Sequence, residues 1–249
     1  MKILNFIVMV IFSFGIAGCS EDFKKDLNLT EDTKDEKITR ETPSSIKEKE
    51  EKCNDKDYEA CSDLGVNYED GDGVETDKNK AAELYKKGCD GGDFLGCNNL
   101  GILYEDGEGV EKDKSKSAQL YKKACDGEYT LGCYNLAILY DDGEGVEEDD
   151  MKAVELYKKA CDGDEPLGCN NLGVMYHNGE GVKQDEEKAI ELYKEACDGD
   201  EPLGCGNLGD IYEDTQEAKY DLDLAKKYFK KACKLGDDYS CKKYVKLDK

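Results

Sequence analysis

Residues 161–196 read CDGDEPLGCNNLGVMYHNGEGVKQDEEKAIELYKEA. The block before, from Cys125, reads CDGEYTLGCYNLAILYDDGEGVEEDDMKAVELYKKA, and the block after opens CDGDEPLGCGNLGDIY. Both neighbours are offset by 36 residues without a gap. Self-similarity at a period of roughly 20–50 residues is the mark of a solenoid, in which no single unit can bury its apolar face alone.

Each block carries two helical patterns. In the first, Cys169, Leu172, Gly173 and Tyr176 recur at helical spacing, with Pro166 (Pro202 in the next block) just inside the start, where a missing N–H costs nothing. The second starts at an N-cap aspartate, Asp185, matched by Asp77, Asp113, Asp149 and Asp221. It shows an apolar stripe one face wide: Ala189, Leu192, Tyr193 and Ala196. Gly163, with Gly91, Gly127 and Gly199, falls just past the second helix, where a left-handed residue is expected to end it. Two antiparallel helices of about 12 residues per unit follow, too short to be stable in water without stacking. The fold class is all-α, a right-handed α/α solenoid.

Outward from that block, residues 53–232 form five 36-residue units starting at Cys53, Cys89, Cys125, Cys161 and Cys197. Residues 233–249 begin a sixth and stop, as a C-terminal capping helix made polar by Lys242, Lys243 and Lys246. The fifth unit has Thr215-Gln216-Glu217-Ala218 where Gly-Glu-Gly-Val should recur, so its inner loop needs different turn chemistry. Towards the N-terminus, Lys2, an apolar run over Ile3–Phe14 and Ile16-Ala17-Gly18-Cys19 read as a signal peptide over 1–18. The small residues before Cys19 resemble the bacterial lipobox, which implies acylation of Cys19. Residues 19–52 are then the lipidated cysteine and a charged, disordered tether, with Lys47–Lys52 a helical lead-in. Export to the bacterial outer membrane as a lipoprotein is expected, Ser20 not being a retention aspartate, or secretion if Cys19 is unmodified.

Composition excludes some functions. The 35 Lys+Arg against 59 Asp+Glu give a formal charge of −24, which repels phosphate backbones and argues against nucleic acid as a partner. Basic peptides are favoured instead. Twelve of the 13 cysteines fall in pairs separated by eight residues, an even set that in an exported chain reads as a disulfide framework. Structural zinc prefers ligands closer together, and His177 is the only histidine, so no metal site or cofactor is expected.

The pattern Leu-Gly-x-x-Tyr, Gly-x-Gly-Val, Asp, Lys-Ala-x-x-Leu-Tyr-x-x-Ala is carried by Leu172, Gly173, Tyr176, Gly179, Gly181, Val182, Asp185, Lys188, Ala189, Leu192, Tyr193 and Ala196. It resembles the Sel-one-like repeat (SLR), a relative of the tetratricopeptide repeat. With cysteines where that family usually has small residues, the chain is similar to the cysteine-rich Hcp proteins, exported bacterial solenoids with disulfide-linked helix pairs. The resemblance covers Cys53–Cys241. It implies the pairs Cys53–Cys61, Cys89–Cys97, Cys125–Cys133, Cys161–Cys169, Cys197–Cys205 and Cys233–Cys241, each joining the end of one second helix to the next first helix across a tight loop. Each closes a ring of about nine residues, which the chain-entropy account values at roughly 2.5 kcal/mol.

Four features are candidates for function. The acidic glycine loops, such as Glu105-Asp106-Gly107-Glu108-Gly109, do not complete a calcium-binding loop and read as turns. The lysine pairs Lys86/Lys87, Lys122/Lys123, Lys158/Lys159 and Lys230/Lys231 complement helix dipoles on a solvated face. Asn99, Asn135, Asn171 and Asn207, with Asp63 in the first unit, recur two residues after the second cysteine of each pair. In the related tetratricopeptide proteins the first helix lines a concave groove, so these amides are candidates to hold a peptide backbone; alternatively they bond neighbouring helices. Finally, some Hcp relatives are described as penicillin-binding proteins or β-lactamases, the alternative activity that the resemblance implies. Against it, the Ser-x-x-Lys at Ser44–Lys47 lies in the tether, and neither Ser-Asp-Asn nor Lys-Thr-Gly occurs. No catalytic residues emerge. The expected molecule is a monomeric, lipid-anchored scaffold for a peptide or protein segment, touching the membrane only through its N-terminal lipid.

Overall fold

The computed structural model describes residues 41–214 and 220–248. The signal peptide, Cys19, most of the tether and the aberrant Thr215–Ala218 loop lie outside the described residues. The rest is a right-handed, all-α solenoid of twelve described helices. They are α1 (Pro43–Asn54), α2 (Tyr58–Asp70), α3 (Lys78–Gly91), α4 (Phe94–Asp106), α5 (Lys114–Asp126), α6 (Thr130–Asp142), α7 (Asp150–Asp162), α8 (Pro166–Asn178), α9 (Glu186–Asp198), α10 (Pro202–Glu213), α11 (Leu222–Lys234) and α12 (Asp238–Leu247). Even-numbered helices are the first of each unit and odd-numbered ones the second.

The N-caps fall where expected. The Asp77, Asp113, Asp149, Asp185 and Asp221 side chains all accept from backbone N–H groups in the first turn of α3, α5, α7, α9 and α11. Such a cap is worth about 1 kcal/mol. The stripe Ala189, Leu192, Tyr193 and Ala196 is buried, as are Tyr85, Tyr121, Tyr157 and Phe229 at the same level of the other units.

The lead-in differs from expectation. Helix α1 begins at Pro43 and not at Lys47, with Thr42 as N-cap and Pro43 in its first turn. It packs against α2, buries Ile46 and Cys53, and so serves as the second half of an incomplete pair that covers the start of the stack. Residues 43–52 are therefore helical and not tether.

Gly91, Gly127, Gly163 and Gly199 do not take the left-handed backbone expected of them. Gly127, Gly163 and Gly199 have φ of −87°, −99° and −80°. The left-handed residue is the next one along: Lys56, Gly92, Glu128, Asp164, Asp200 and Gly236 have φ of 62–101°. The glycine is there for space. A Cβ on Gly127 would come within 2.3 Å of the Phe94 ring, and one on Gly199 within 2.6 Å of Pro166, because the end of each second helix crosses the start of its own first helix. The loop inside each unit does use left-handed glycines: Gly107 caps α4 at φ 77°, and Gly109 has φ 67°.

All six disulfides are closed, with Cα atoms 4.5–4.7 Å apart. Each joins a second helix to the first helix of the next unit, and the four inner bridges, from Cys89–Cys97 to Cys197–Cys205, sit within apolar clusters that run from unit to unit. The lysines at the ends of the second helices are more engaged than a solvated face requires. Lys123, Lys159 and Lys231 donate to the carbonyls of Cys89, Cys125 and Cys197, at 2.7, 2.5 and 2.5 Å, capping the helix of the preceding unit. Lys86, Lys122 and Lys158 instead pair with Asp90, Asp126 and Asp162 on their own helices.

Consecutive first helices also touch, α2 with α4, α8 with α10 and α10 with α12, whereas no two second helices meet as closely. The stack therefore bends towards its first helices, which line its inner side.

Candidate functional site

Steps of four, three and three residues keep side chains on one helical face. On that stripe α4 presents Leu95, Asn99, Ile102 and Glu105; α6 presents Leu131, Asn135, Ile138 and Asp141; α8 presents Leu167, Asn171, Val174 and His177; α10 presents Leu203, Asn207, Asp210 and Glu213. The opposite sides, for example Gly96, Cys97, Leu100 and Leu103, are buried. The stripe residues are half-buried, apart from the exposed His177 and Leu203, which keeps 52% of its surface. Hydrogen bonds run from this stripe back to the first helix of the preceding unit. The four levels form columns along the stack: leucine, asparagine, a third that is apolar until Asp210, and a fourth that is acidic except at His177.

The asparagine column is partly committed to structure. Asn135 donates to Asn98 at 2.9 Å, and Asn207 donates to Asn170 at the same distance. Asn98 and Asn170, each about 3% exposed, in turn donate to their neighbours Asn99 and Asn171. The two buried asparagines escaped the sequence reading because only alternate units carry them; Tyr134 and Gly206 take that place in the units between. The doublets Asn98-Asn99 and Asn170-Asn171 were the available signal. An amide offers two donors and two lone pairs, so this network leaves part of each outer amide for the open face.

The acidic column stands on tyrosine hydroxyls. Tyr85 donates to Glu69 at 2.6 Å, Tyr121 to Glu105 at 2.8 Å and Tyr157 to Asp141 at 3.5 Å. Burial first, and the neighbouring carboxylates second, push these phenols above their ordinary value, so they stay protonated donors. The amides of Asn99 and Asn171 face the hydroxyls of Tyr85 and Tyr157 and act in the opposite direction. Burial also raises the Glu105 carboxyl. Asp141 is pushed up to about 6, by burial and then by Asp142, Glu180 and Asp150, with the Tyr157 hydrogen bond opposing. In the fourth unit His177 takes this level and turns to Glu186, 2.8 Å from its Nδ1.

At the end of the column Lys243 breaks the expected polar outer surface of α12. It turns inward to Glu213 and lies 3.3 Å from Asp210. Burial works against its charge, but hydrogen bonds to Glu213 and Tyr239 and the charge of Asp210 outweigh it and hold the ammonium above the ordinary lysine value. Lys243 is also the lysine of a second Ser-x-x-Lys, Ser240–Lys243, that sequence reasoning passed over. Ser240 is fully buried and Lys243 is held protonated, so this pair presents neither an accessible nucleophile nor a base. At the other Ser-x-x-Lys, Lys47 pairs with Glu51.

A family model described as the Sel1 repeat matches residues 59–93, 95–129, 130–165, 166–201 and 202–237. Among solved structures, the chain is similar to a protective antigen of uropathogenic Escherichia coli displaying an SLR fold, with 24% identity and a TM-score of 0.73 over 82% of this chain and 44% of that one. It thus spans less than half of that antigen. It is also similar to a Sel1 repeat protein from Oxalobacter formigenes, with 25% identity and a TM-score of 0.72 over 84% of this chain and 79% of that one. Cysteine-rich protein B of Helicobacter pylori is 32% identical over 53% of this chain and 96% of its own, with a TM-score of 0.45. None of the curated proteins matches in sequence.

Proposed function

Because the chain belongs to the Sel1 repeat family, we propose that it is an exported, lipid-anchored scaffold at the bacterial cell envelope, whose inner face holds an extended segment of a peptide or protein partner. The fold is one that serves protein–protein interaction. Six closed disulfides belong to an oxidising compartment, which supports export. Acylation of Cys19, outer-membrane placement and a monomeric scaffold complete the reading.

The observation that carries it is the half-exposed asparagine column, Asn99, Asn135, Asn171 and Asn207, flanked along four units by the leucines of the same stripe. Such a row offers a backbone both donors and acceptors at a regular interval, while the leucines offer area to alternate side chains. A net charge of −24 favours basic partners.

Envelope extract passed over the immobilised oxidised chain tests this. Asn135→Ala with Asn171→Ala is expected to reduce capture of the partner at least tenfold, with helical circular dichroism retained. Unchanged capture would make the column purely structural, since Asn135 and Asn171 also bond within the stack.

A further inference from the structure

The terminal unit shows how this chain neutralises its own groove. Counting by 36 from Asn99, Asn135, Asn171 and Asn207, the same level in α12 is Lys243. Its ammonium reaches back to Glu213 of the preceding unit and lies 5.5 Å from the centre of the Phe229 ring. Glu213 is the counterpart of Glu69, Glu105 and Asp141, and Phe229 is the counterpart of Tyr85, Tyr121 and Tyr157. In those earlier units a neutral asparagine stands where Lys243 stands, and the carboxylate has only a tyrosine hydroxyl on one oxygen.

The charges around the row do not make up the difference. Glu105 feels Lys114, but that ammonium is bonded to Glu144, and Asp106 lies close as well. Asp141 is faced by Asp142, Glu180 and Asp150, with Tyr157 as its donor. Half-buried anions crowded by like charges gain most from an ammonium or guanidinium brought from outside.

We infer that the partner segment is cationic and extended, placing Lys or Arg side chains on Glu69, Glu105 and Asp141 as Lys243 is placed on Glu213, with its apolar side chains on Leu95, Leu131 and Leu167. This rests on the groove reading above and names the chemistry of its occupant. His177 interrupts the row, and Lys243 closes it.

Fluorescence anisotropy of the full oxidised chain tests it with two labelled 12-residue probes, one alternating Leu and Lys, the other Leu and Glu. The Leu–Lys probe is expected to bind, and to bind at least tenfold more weakly to the triple variant Glu69→Gln, Glu105→Gln, Asp141→Asn. Asn171→Lys, which copies the terminal arrangement onto Asp141, is expected to weaken it severalfold. The variant Glu83→Gln, Glu155→Gln, Glu191→Gln removes the same charge from exposed sites on second helices and should stay within twofold of the parent. Equal loss in both triple variants would reduce the effect to bulk charge and overturn the proposal, as would no loss in the first. Equal binding of the Leu–Glu probe, or no binding of the Leu–Lys probe while capture from envelope extract still depends on Asn135 and Asn171, would overturn the cationic partner and leave the groove reading standing.

Discussion

At the scale of single residues, two kinds of glycine have to be kept apart. Gly181 has φ 64°, and a Cβ there would stand 2.4 Å from the Asp150 carbonyl oxygen at the start of the preceding unit's second helix. Gly92 has φ 96° with nothing within 4 Å of the same imaginary atom. Other units place Lys56, Glu128, Asp164 and Asp200 at the level of Gly92 and tolerate the left-handed backbone there. Gly92→Ala should therefore cost about 1 kcal/mol, the ordinary left-handed penalty, and Gly181→Ala about 3 kcal/mol, since a backbone clash is added. Guanidinium unfolding midpoints of the oxidised protein would show the difference. Equal losses would mean that the Asp150 end of α7 can move aside.

At the scale of helices, the stack is joined by two devices repeated from unit to unit, a disulfide and a lysine. The lysine that caps the preceding second helix is present as Lys123, Lys159 and Lys231, but the fourth unit has Glu195 at that level. Its carboxylate stands beside the Cys161–Cys169 disulfide, at the carbonyl end of α7, where the helix dipole disfavours an anion. The same junction lacks the other inter-unit pair as well. Lys78–Glu108 and Lys114–Glu144 bridge the earlier units, whereas Asp150 stands at the lysine's level before Glu180. Glu195→Lys should restore the missing cap and raise stability by about 0.5–1 kcal/mol, read as a higher unfolding midpoint. A lower midpoint would mean that the Cys161 carbonyl cannot be reached from α9.

At the scale of the whole molecule, the units are too thin to rely on their cores, and the staples carry a large share of stability. Six rings at roughly 2.5 kcal/mol each exceed the 5–15 kcal/mol of an ordinary domain's margin only at its lower end and match it at the upper. Reduction is expected to abolish most helical circular dichroism at 37 °C, and reoxidation to restore it. Retention of the signal after complete reduction would show that apolar stacking suffices. The architecture was legible because one 36-residue message is repeated: caps such as Asp185, stripes such as Ala189–Leu192–Tyr193–Ala196 and the cysteine spacing all survive averaging over units. What lay hidden is what varies between units. The inward turn of Lys243 and the tyrosine support of Glu69, Glu105 and Asp141 depend on contacts between residues about 16 to 30 apart, for which one chain's pattern gives no signal, and the buried Asn98 and Asn170 are marked only by their asparagine doublets. The glycines after the second helices misled because glycine answers both to backbone sign and to lack of space.

The disulfides have one more property. Every bridge joins residues eight apart, and no bridge encloses or crosses another. Twelve thiols could pair in about ten thousand ways, yet here the right partner of each odd cysteine is always the next to appear in chain order. With Cys19 acylated, a chain entering an oxidising space from its N-terminus would meet each correct thiol before any wrong one was within reach, and short loops close fastest. Maturation of this protein would then need an oxidant but little help from a disulfide isomerase.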